Sequence, residues 1–356
     1  LLHFVLESYQ KKEFPCLIQQ FEEWRENKPL SGIKVFDGAP VFKNTCAKYA
    51  SLVAAGAELT VGVTDNFFYD KEVYSRLPEF GIKTVKNEYQ GGDYDLVLDC
   101  AGLHHKKTPV KGFAELTRSG VGVYRNGSLP CLSVDDSRTK LLEDFLGTGD
   151  GFLRGLRSCG FEDVAKMSVL VFGFGKVGKG ICMRMRQAGA SVTAVDDMSR
   201  VKSILDIYLI DMNDVSAVTE AVNGADCVVT ATGVAGALEG RYPEEIFFRD
   251  GLVLANMGVE DEFGGEIDDE LVLAGNKPLN FLLDEPTRMN FIDPVMALHN
   301  EAAIYLLHND CEPGLFPTPS ELDSKFMEIT RRAGEIAEDI KLLDMAMGEW
   351  DDKCTD

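Results

Sequence analysis

The sequence predicts an α/β protein built from two doubly wound domains, each with a parallel sheet between helices. The chain has 356 residues, more than one ordinary hydrophobic core holds, so two domains are expected. An order of apolar strand, helix, glycine-containing turn and second strand occurs twice at nearly the same length, over about 33–63 and 168–196. Strands that alternate with helices in this way form parallel sheets.

The first of the two units follows an amphipathic helix. Leu17, Phe21 and Trp24 recur at helical spacing up to about residue 27, and Lys28-Pro29 ends the pattern. The pattern then predicts a strand at 33–37, a helix at 47–55 and further strands at 59–63, 94–99 and 120–124. Together they form the first doubly wound domain.

The second unit contains the most informative stretch of the chain. A buried apolar strand at 169–172 runs into Gly173-x-Gly175-x-x-Gly178, and a helical pattern and a second strand ending at Asp196 follow. Further strands are predicted at 226–233 and 251–258. A glycine pattern between a strand and a helix, with an acidic residue about 20 positions on, is the dinucleotide-binding fingerprint of a Rossmann-like domain.

Each residue of this fingerprint has a physical task. Gly173 allows the tight turn, Gly175 lets a pyrophosphate approach the backbone, and Gly178 lets the helix pack close to the strand. The pyrophosphate is expected on the helix N-terminus, at Lys176 and Val177, because free N–H groups and the helix dipole favour anions there.

The acidic residue predicts which dinucleotide is bound. Asp196 is expected to accept hydrogen bonds from the adenosine ribose, and its charge would repel a 2′-phosphate, which favours NAD over NADP. The alternative is a glycine-rich turn between strand and helix without a ligand.

Composition and charge narrow the class of protein. The net charge of −22 disfavours nucleic acid as a partner. Acidic clusters such as 260–262 and 268–270 are interpreted as solvated surface. Nine scattered cysteines without paired spacing indicate reduced thiols and no metal site. Without an apolar run of membrane-spanning length or a signal-like beginning, a cytoplasmic protein is expected.

The predicted domain boundaries follow from this order of elements. We expect residues 1–155 to form a substrate domain and residues 156–294 to form the NAD-binding Rossmann-like domain, with a cleft between them. A helical pattern over 326–347 lies in the remaining stretch, 295–356, which we expect to pack back on the first domain or on a second copy of the chain. A homo-oligomer, dimer or tetramer, is expected.

Several motifs resemble those of the S-adenosylhomocysteine hydrolase (adenosylhomocysteinase) family. Gly173-Phe-Gly-Lys-Val-Gly-Lys-Gly180 resembles that family's GYGDVGKG, and the stretch 134–144 resembles its NDSVTKSKFDN segment at the substrate ribose. The stretches 230–233 and 255–258 resemble its TTTG and CNIG cofactor turns. The resemblance spans roughly residues 20–300 and is strongest over 130–295.

The resemblance implies further site residues. Lys140 and Asp144 fall where the family holds the substrate ribose. The implied cofactor-binding residues, beyond the fingerprint, are Thr117, Thr232, Gly233, Met257, Gly258 and Asn290. Asn290 falls where the family's asparagine holds the nicotinamide amide.

The departures from the family pattern concern its acids and bases. Pro40, Asn44, Cys100, Leu116 and Val259 stand where the family has functional polar groups. Its paired aspartates in LDDGGD become Asp99-Cys100, so the second, catalytic carboxylate is lost. Proton abstraction and thiol expulsion need such positioned groups. The resemblance therefore implies a divergent member that lacks several catalytic residues.

Two pairs of residues carry alternative interpretations. Lys140 and Asp144 are four positions apart, so they would share a helix face, either at the substrate or as a solvated ion pair. His104 and His105 follow a predicted strand, where they could supply a general base or be exposed loop residues.

These observations predict NAD-dependent redox chemistry at a secondary alcohol of a small polar substrate, a ribosyl or thioether compound. The alternatives are authentic S-adenosylhomocysteine hydrolysis with rebuilt acid–base groups, and an NAD-loaded binding or regulatory protein without turnover.

Overall fold

The structure of the protein is a computed structural model that describes residues 1–201 and 206–348. The described residues contain twelve strands: β1 Lys34–Asp37, β2 Glu58–Val63, β3 Lys83–Lys86, β4 Leu96–Asp99, β5 Gly112–Glu115, β6 Pro130–Ser133, β7 Ser168–Phe172, β8 Ser191–Asp196, β9 Tyr208–Asp211, β10 Cys227–Thr230, β11 Val253–Asn256 and β12 Gly314–Pro317.

The α-helices of the same residues are α1 Leu2–Leu6, α2 Pro15–Asn27, α3 Thr45–Ala54, α4 Lys71–Arg76, α5 Arg118–Tyr124, α6 Arg138–Leu141, α7 Thr148–Ser158, α8 Lys176–Gln187, α9 Val215–Gly224, α10 Met289–His308, α11 Ser320–Ala333 and α12 Ala337–Gly348. A π-helical segment, Leu142–Gly147, joins α6 to α7. No helix in the described ranges is both long and apolar enough to cross a lipid bilayer.

The chain divides into two compact units. Unit 1 consists of Leu1–Lys140 and Arg288–Ala337, and unit 2 consists of Leu141–Thr287 with the described residues from Glu338 onward. The sequence placed these boundaries at 155 and 294, which is later in the chain on both occasions. The difference at the first boundary arises because the π-helical segment and α7 pack on α8, the helix of the glycine fingerprint.

In the described part of unit 1, seven parallel strands form a sheet of order β12-β6-β5-β4-β1-β2-β3. The winding direction reverses between β1 and β4, as in a doubly wound sheet. Leu96, Val97 and Leu98 of β4 are fully buried, which is typical of a parallel sheet covered on both faces. One face is covered by helices that include α2, α3, α10 and α11.

Five strands in the described part of unit 2 form a second parallel sheet, of order β11-β10-β7-β8-β9. This is the strand order of a dinucleotide-binding Rossmann domain, with its reversal of winding between β7 and β10. The prediction of two doubly wound Rossmann-like folds is therefore confirmed, and unit 1 has the same order without a glycine fingerprint.

Two predicted elements are wrong in type or extent. Residues 120–124, predicted as a strand, lie in helix α5, where Gly120, Val121 and Tyr124 are buried at helical spacing. A short apolar run does not distinguish a buried strand from a buried helix. The predicted helix over 326–347 is two helices, because α11 ends before Gly334 and α12 begins at Ala337. Helix α11 lies in unit 1, where Cys16 Sγ is 3.3 Å from Thr330 Oγ1.

Candidate functional site

The three glycines of the fingerprint have different surroundings. Gly173 has a φ of +95°, and a Cβ there would lie 2.3 Å from the carbonyl oxygen of Ala231. A Cβ on Gly178 would lie 1.9 Å from the carbonyl oxygen of Gly173, so helix α8 packs directly on the turn. By contrast, no described atom beyond the neighbouring residues in the chain lies within 4 Å of a Cβ on Gly175. The first and third glycines thus serve packing, and the second borders open space.

Gly175 is also the N-cap of α8, and no described side chain caps this helix end. The first helical residues, Lys176 and Val177, are half-buried. Because the first turn of a helix presents N–H groups without intrahelical partners, this end suits an anion such as a pyrophosphate. The open space beside Gly175 is where such a group would approach.

Asp196 ends β8, the strand next to β7, and binds the glycine turn. Its Oδ2 atom accepts a hydrogen bond from the backbone N–H of Phe174 at 2.5 Å, and Oδ1 accepts one from Asp197 N at 2.6 Å. A carboxylate has about four acceptor positions, so these two bonds leave capacity for ribose hydroxyls. Asp196 therefore shapes the turn in addition to its expected contact with the ligand.

The turn after β10 is held by a residue that the sequence analysis misplaced. Glu262, interpreted there as solvated surface, is fully buried, and its carboxylate accepts hydrogen bonds from the N–H groups of Thr232 and Gly233 at 2.7 Å each. The buried Glu262 carboxylate thus fixes the shape of this turn, which is expected to bind the cofactor. An acidic cluster at 260–262 carries no local signal for this, because such clusters usually lie in surface loops.

The turn after β11 belongs to the same network. Asn256 Oδ1 accepts from Thr230 Oγ1 at 3.1 Å and from Gly258 N at 2.8 Å. A Cβ on Gly258 would lie 2.1 Å from Glu262 Oε1, and Met257 N donates to Thr230 O at 2.9 Å. Two predicted cofactor turns at adjacent strand ends are therefore joined by buried hydrogen bonds.

Asp144 lies in unit 2, next to the glycine fingerprint. Asp144 was predicted in the substrate domain, residues 1–155, and its place in unit 2 corrects that prediction. Asp144 Oδ2 is 3.9 Å from Lys176 Nζ, and a Cβ on Gly180 of α8 would lie 2.0 Å from Phe145 O. Close backbone packing thus holds a half-buried carboxylate beside the first residue of α8.

Lys140 lies in α6, and Asp144 lies in the π-helical segment that follows it. Lys140 ends the first segment of unit 1, and the helix changes from α to π hydrogen bonding after Leu141. Lys140 is 4% exposed, so the interpretation as a solvated surface pair is wrong. Single π turns within helices occur often at functional sites.

Asn290 has an unpartnered polar atom. It lies in the first turn of α10 and belongs to unit 1, although the sequence analysis counted it in the NAD-binding domain. Its buried Oδ1 has no hydrogen-bond partner among the described residues. Buried polar atoms are rarely left unpaired in native proteins, so this oxygen fits a hydrogen-bond donor of a ligand.

Thr117, the remaining predicted cofactor-binding residue, forms hydrogen bonds to other residues of unit 1. Its Oγ1 donates to Glu115 Oε1 at 2.7 Å and accepts from Ala101 N at 2.8 Å. Glu115 is fully buried and also accepts from Gly102 N at 3.0 Å and Thr117 N at 2.8 Å. The loop after β4 and the turn after β5 are thus joined through one carboxylate.

Asp99, at the end of the neighbouring strand β4, also accepts several hydrogen bonds from the loops around it. It accepts from Cys100 N and His104 N at 2.9 Å each and from the hydroxyl of Tyr124. Burial raises the pKa of Asp99, and burial together with the charge of Asp99 raises the pKa of Glu115. Asp99 and Glu115 both accept hydrogen bonds from backbone N–H groups and so hold the nearby loops in place. Cys100, the residue after Asp99, is buried and supplies no second carboxylate.

The two adjacent histidines differ in environment. His105 is exposed, and its Nδ1 lies 2.7 Å from Gly102 O. His104 is 1% exposed, and burial lowers its pKa to about 4. The interpretation as exposed loop residues therefore holds for His105 alone. No group of three or more potential ligands in the described part of the chain could hold a metal ion.

Comparisons with known proteins agree with this geometry. Residues 146–279 match the family model described as "S-adenosyl-L-homocysteine hydrolase, NAD binding domain". An S-inosyl-L-homocysteine hydrolase of Methanopyrus kandleri is 26% identical over 383 aligned positions, covering 90% of this chain and 88% of that protein. An adenosylhomocysteinase of Aeropyrum pernix is 30% identical, covering 70% of this chain and 66% of that protein.

Among solved structures, a dipicolinate synthase chain of Bacillus halodurans aligns with 79% of this chain and 100% of its own length. The TM-score is 0.51 and the sequence identity 11%, which supports the fold alone.

The NAD-binding domain, the glycine turn on a Rossmann sheet and the relatives all lead to one assignment. The chain belongs to the S-adenosyl-L-homocysteine hydrolase family, as a divergent, NAD-binding member.

Proposed function

We propose that this protein uses NAD to oxidise or reduce a secondary alcohol of a small polar substrate, a ribosyl or thioether compound. The observation that carries the proposal is the Asp144 carboxylate, held 3.9 Å from Lys176 Nζ at the start of α8. An acid is thereby fixed beside the helix end that is expected to hold the pyrophosphate. The names of the relatives favour a homocysteine thioether of a nucleoside as the substrate class.

In this proposal, three residues of the chain orient the substrate, exchange its proton and hold the cofactor. When bound, NAD supplies hydride exchange with the carbinol carbon. Asp144 accepts a hydrogen bond from a substrate hydroxyl and so orients the sugar. Lys140 exchanges the proton of the reacting hydroxyl, which must leave the oxygen as the hydride leaves the carbon. Asn290 holds the nicotinamide amide through its unpartnered Oδ1.

The test is single-turnover absorbance of the reduced cofactor. Wild type, Lys140→Met and Asp144→Asn are mixed with S-inosyl-L-homocysteine or S-adenosyl-L-homocysteine in the presence of NAD. Both variants should form reduced nicotinamide roughly a hundredfold or more slowly, the scale of positioned acid–base groups, with NAD still bound. Arg138→Met, an exposed cation on the same helix, and Glu143→Gln are the matched controls. Wild-type rates in both variants would contradict the assigned roles.

A second candidate function is hydrolysis of the thioether substrate, favoured by the names of the relatives. Against it stand Pro40, Asn44, Cys100, Leu116 and Val259, where the family has polar groups. Trapping free homocysteine with a thiol reagent distinguishes the two. We expect little or no thiol release, and turnover of order one per second would favour hydrolysis. Bound NAD with neither reduced cofactor nor product would favour a binding protein without turnover.

A further inference from the structure

A carboxylate from a distant part of the chain holds the start of the helix that carries Lys140. Asp323 Oδ2 accepts a hydrogen bond from Arg138 N at 2.8 Å, and Oδ1 accepts one from Thr139 N at 3.0 Å. Arg138 and Thr139 are the first two residues of α6, and Asp323 follows them by 185 and 184 positions. All three residues belong to unit 1, so the contact depends on the fold of this unit.

The first turn of α6 needs acceptors that the helix itself does not supply. The N–H groups of a first helical turn have no partner within the helix. One acceptor is local, because Ser137 Oγ accepts from Lys140 N at 3.1 Å. The two oxygens of Asp323 serve the N–H groups of Arg138 and Thr139. Thr139 is fully buried and Asp323 is 8% exposed, so water has little access to these bonds.

The edge strand β12 brings Asp323 to this place. β12 pairs in parallel with β6, and its last residue, Pro317, lies opposite Ser133. The next residue, Thr318, donates from its hydroxyl to Ser133 O at 2.7 Å. Helix α11 begins two positions later, and Asp323 lies in its first turn. Two paired strands thus lead into α6 and α11, which sets the carboxylate on the N-terminus of α6.

The position of Lys140 depends on this contact. Lys140 directly follows Thr139 and is 4% exposed, so its side chain is confined by packing. The α-helical part of this segment has four residues, of which Asp323 binds two, and π hydrogen bonding follows after Leu141. A displacement of about 1 Å at a reacting centre can slow a reaction by about a hundredfold.

We propose that Asp323 is a positioning residue for Lys140: it holds the first turn of α6 and thereby sets where the lysine ammonium lies. The proposal rests on the proposed function, in which Lys140 exchanges the proton of the reacting hydroxyl. Asp323 acts through the backbone of α6 and contacts neither substrate nor cofactor. Its substitution should therefore slow hydride transfer without changing the affinity for NAD, whose glycine turn lies in unit 2.

Single-turnover formation of reduced nicotinamide is compared in wild type and variants, with S-inosyl-L-homocysteine or S-adenosyl-L-homocysteine as substrate. Asp323→Ala should react about ten- to a hundredfold more slowly, with unchanged affinity for NAD. Glu321→Ala is the matched control and should react as wild type, because Glu321 is an exposed acid in the same turn of α11. Asp323→Asn keeps the size of the side chain but offers one oxygen, so it should also react more slowly and tests the site should Asp323→Ala fail to fold.

The same measurement in a Lys140→Met background separates positioning from a merely structural role. The double variant Lys140→Met/Asp323→Ala should react no more slowly than Lys140→Met, because Asp323 acts through the lysine. A structural role would slow the reaction by the same factor in both backgrounds. Losses that multiply in this way, or wild-type rates in folded Asp323→Ala and Asp323→Asn, would overturn the proposal.

Hydrogen exchange of the backbone amides at 138–140, followed by mass spectrometry, requires no turnover. In Asp323→Ala these amides should exchange about five- to a hundredfold faster, the range for a buried donor that loses its acceptor, and in Glu321→Ala at the wild-type rate. A wild type that forms no reduced nicotinamide would contradict the proposed function, and hydrogen exchange would then decide whether Asp323 holds α6. Unchanged exchange at 138 and 139 in Asp323→Ala would overturn the proposal.

Discussion

Single polar residues at strand ends decide how each turn of this protein is shaped. Asp196, Glu262 and Glu115 each accept hydrogen bonds from two or more groups in loops at the carboxyl edge of a sheet. A carboxylate offers two acceptor oxygens to backbone N–H groups, whereas the amide of a Gln or Asn side chain offers one oxygen and a donor NH₂ group. These acids hold the loops in place before any ligand arrives.

Replacing Asp196 by Ala should weaken NAD binding by roughly tenfold to over a hundredfold. One charge-assisted hydrogen bond to the ribose is lost, which is worth about 1.5–3 kcal/mol, and the Phe174 N–H loses its acceptor. Isothermal titration gives the dissociation constant. Asp197→Ala is the control, since Asp197 accepts from Ser199 at the surface. An unchanged dissociation constant would show that Asp196 does not contact the ribose.

His104 should make the protein less stable as the pH falls. Burial lowers its pKa from 6.5 to about 4 in the folded state, so between these values the unfolded chain binds more protons. Stability is therefore lost as the pH falls through this window, and His104 contributes a loss of about 2 kcal/mol at pH 5 relative to pH 8. The groups that bear on its charge are Glu88 and Lys107.

Urea titrations of wild type and His104→Phe at pH 8 and pH 5 measure this contribution. The loss of unfolding free energy between the two pH values should be about 2 kcal/mol smaller in the variant, because Phe does not titrate. His105→Phe should behave as wild type. Equal losses in wild type and His104→Phe would mean that the buried ring is charged in the folded protein.

At the scale of elements, the glycine turn and α8 show why one motif contains residues with separate tasks. Gly178 lies against the backbone of Gly173, and Gly175 lies against open space. The spacing of the motif predicts both, because a strand, a tight turn and a helix leave little freedom for the backbone between them.

Gly178→Ala should destabilise unit 2, and Gly175→Ala should not. A Cβ at Gly178 meets a backbone oxygen at 1.9 Å, which forces the helix to move, and we expect a cost of about 1–3 kcal/mol or more, the scale of overpacking. At Gly175 the change in stability should stay within about 0.5 kcal/mol, with NAD binding reduced. Denaturant unfolding and NAD titration of both variants separate the effects. Normal NAD affinity in Gly175→Ala would contradict the placement of the pyrophosphate.

The turn after β10 should depend on the charge of Glu262. In Glu262→Gln, the amide NH₂ must face Thr232 N or Gly233 N, so one hydrogen bond becomes a contact between two donors. We expect unit 2 to lose about 1–3 kcal/mol of unfolding free energy. Glu260→Gln, at an exposed neighbouring position, should change it by less than about 0.5 kcal/mol. Equal stability of the two variants would show that the carboxylate is not needed.

At the scale of the whole molecule, bound cofactor should stabilise the protein and discriminate between dinucleotides. At a free NAD concentration about a hundredfold above the dissociation constant, the gain should be about 2.7 kcal/mol. NADP should stabilise less, because the charge of Asp196 repels its 2′-phosphate. Thermal unfolding with each dinucleotide at equal concentration measures both effects. A larger shift with NADP would contradict the preference for NAD.

The spacing of residue types along the chain was enough to predict those features that depend only on residues close together in the sequence. The strand and glycine turn at 169–178, the acid at Asp196 and the two doubly wound sheets follow from periodicity and turn chemistry, which act over a few residues. The same local signal was insufficient at 120–124, where a buried helix and a buried strand have similar apolar runs.

The packing of elements brings residues that are far apart in the chain into one environment. It buried Glu262 under Thr232 and Gly233, placed Asp144 beside Lys176 on a π-helical segment, and left His104 buried while His105 is exposed. Burial and hydrogen-bond partners depend on how whole elements pack, and spacing along the chain does not contain that information. The sequence alone thus determined the fold class, the cofactor and the family resemblance, whereas packing decided the electrostatic setting of each acid and base.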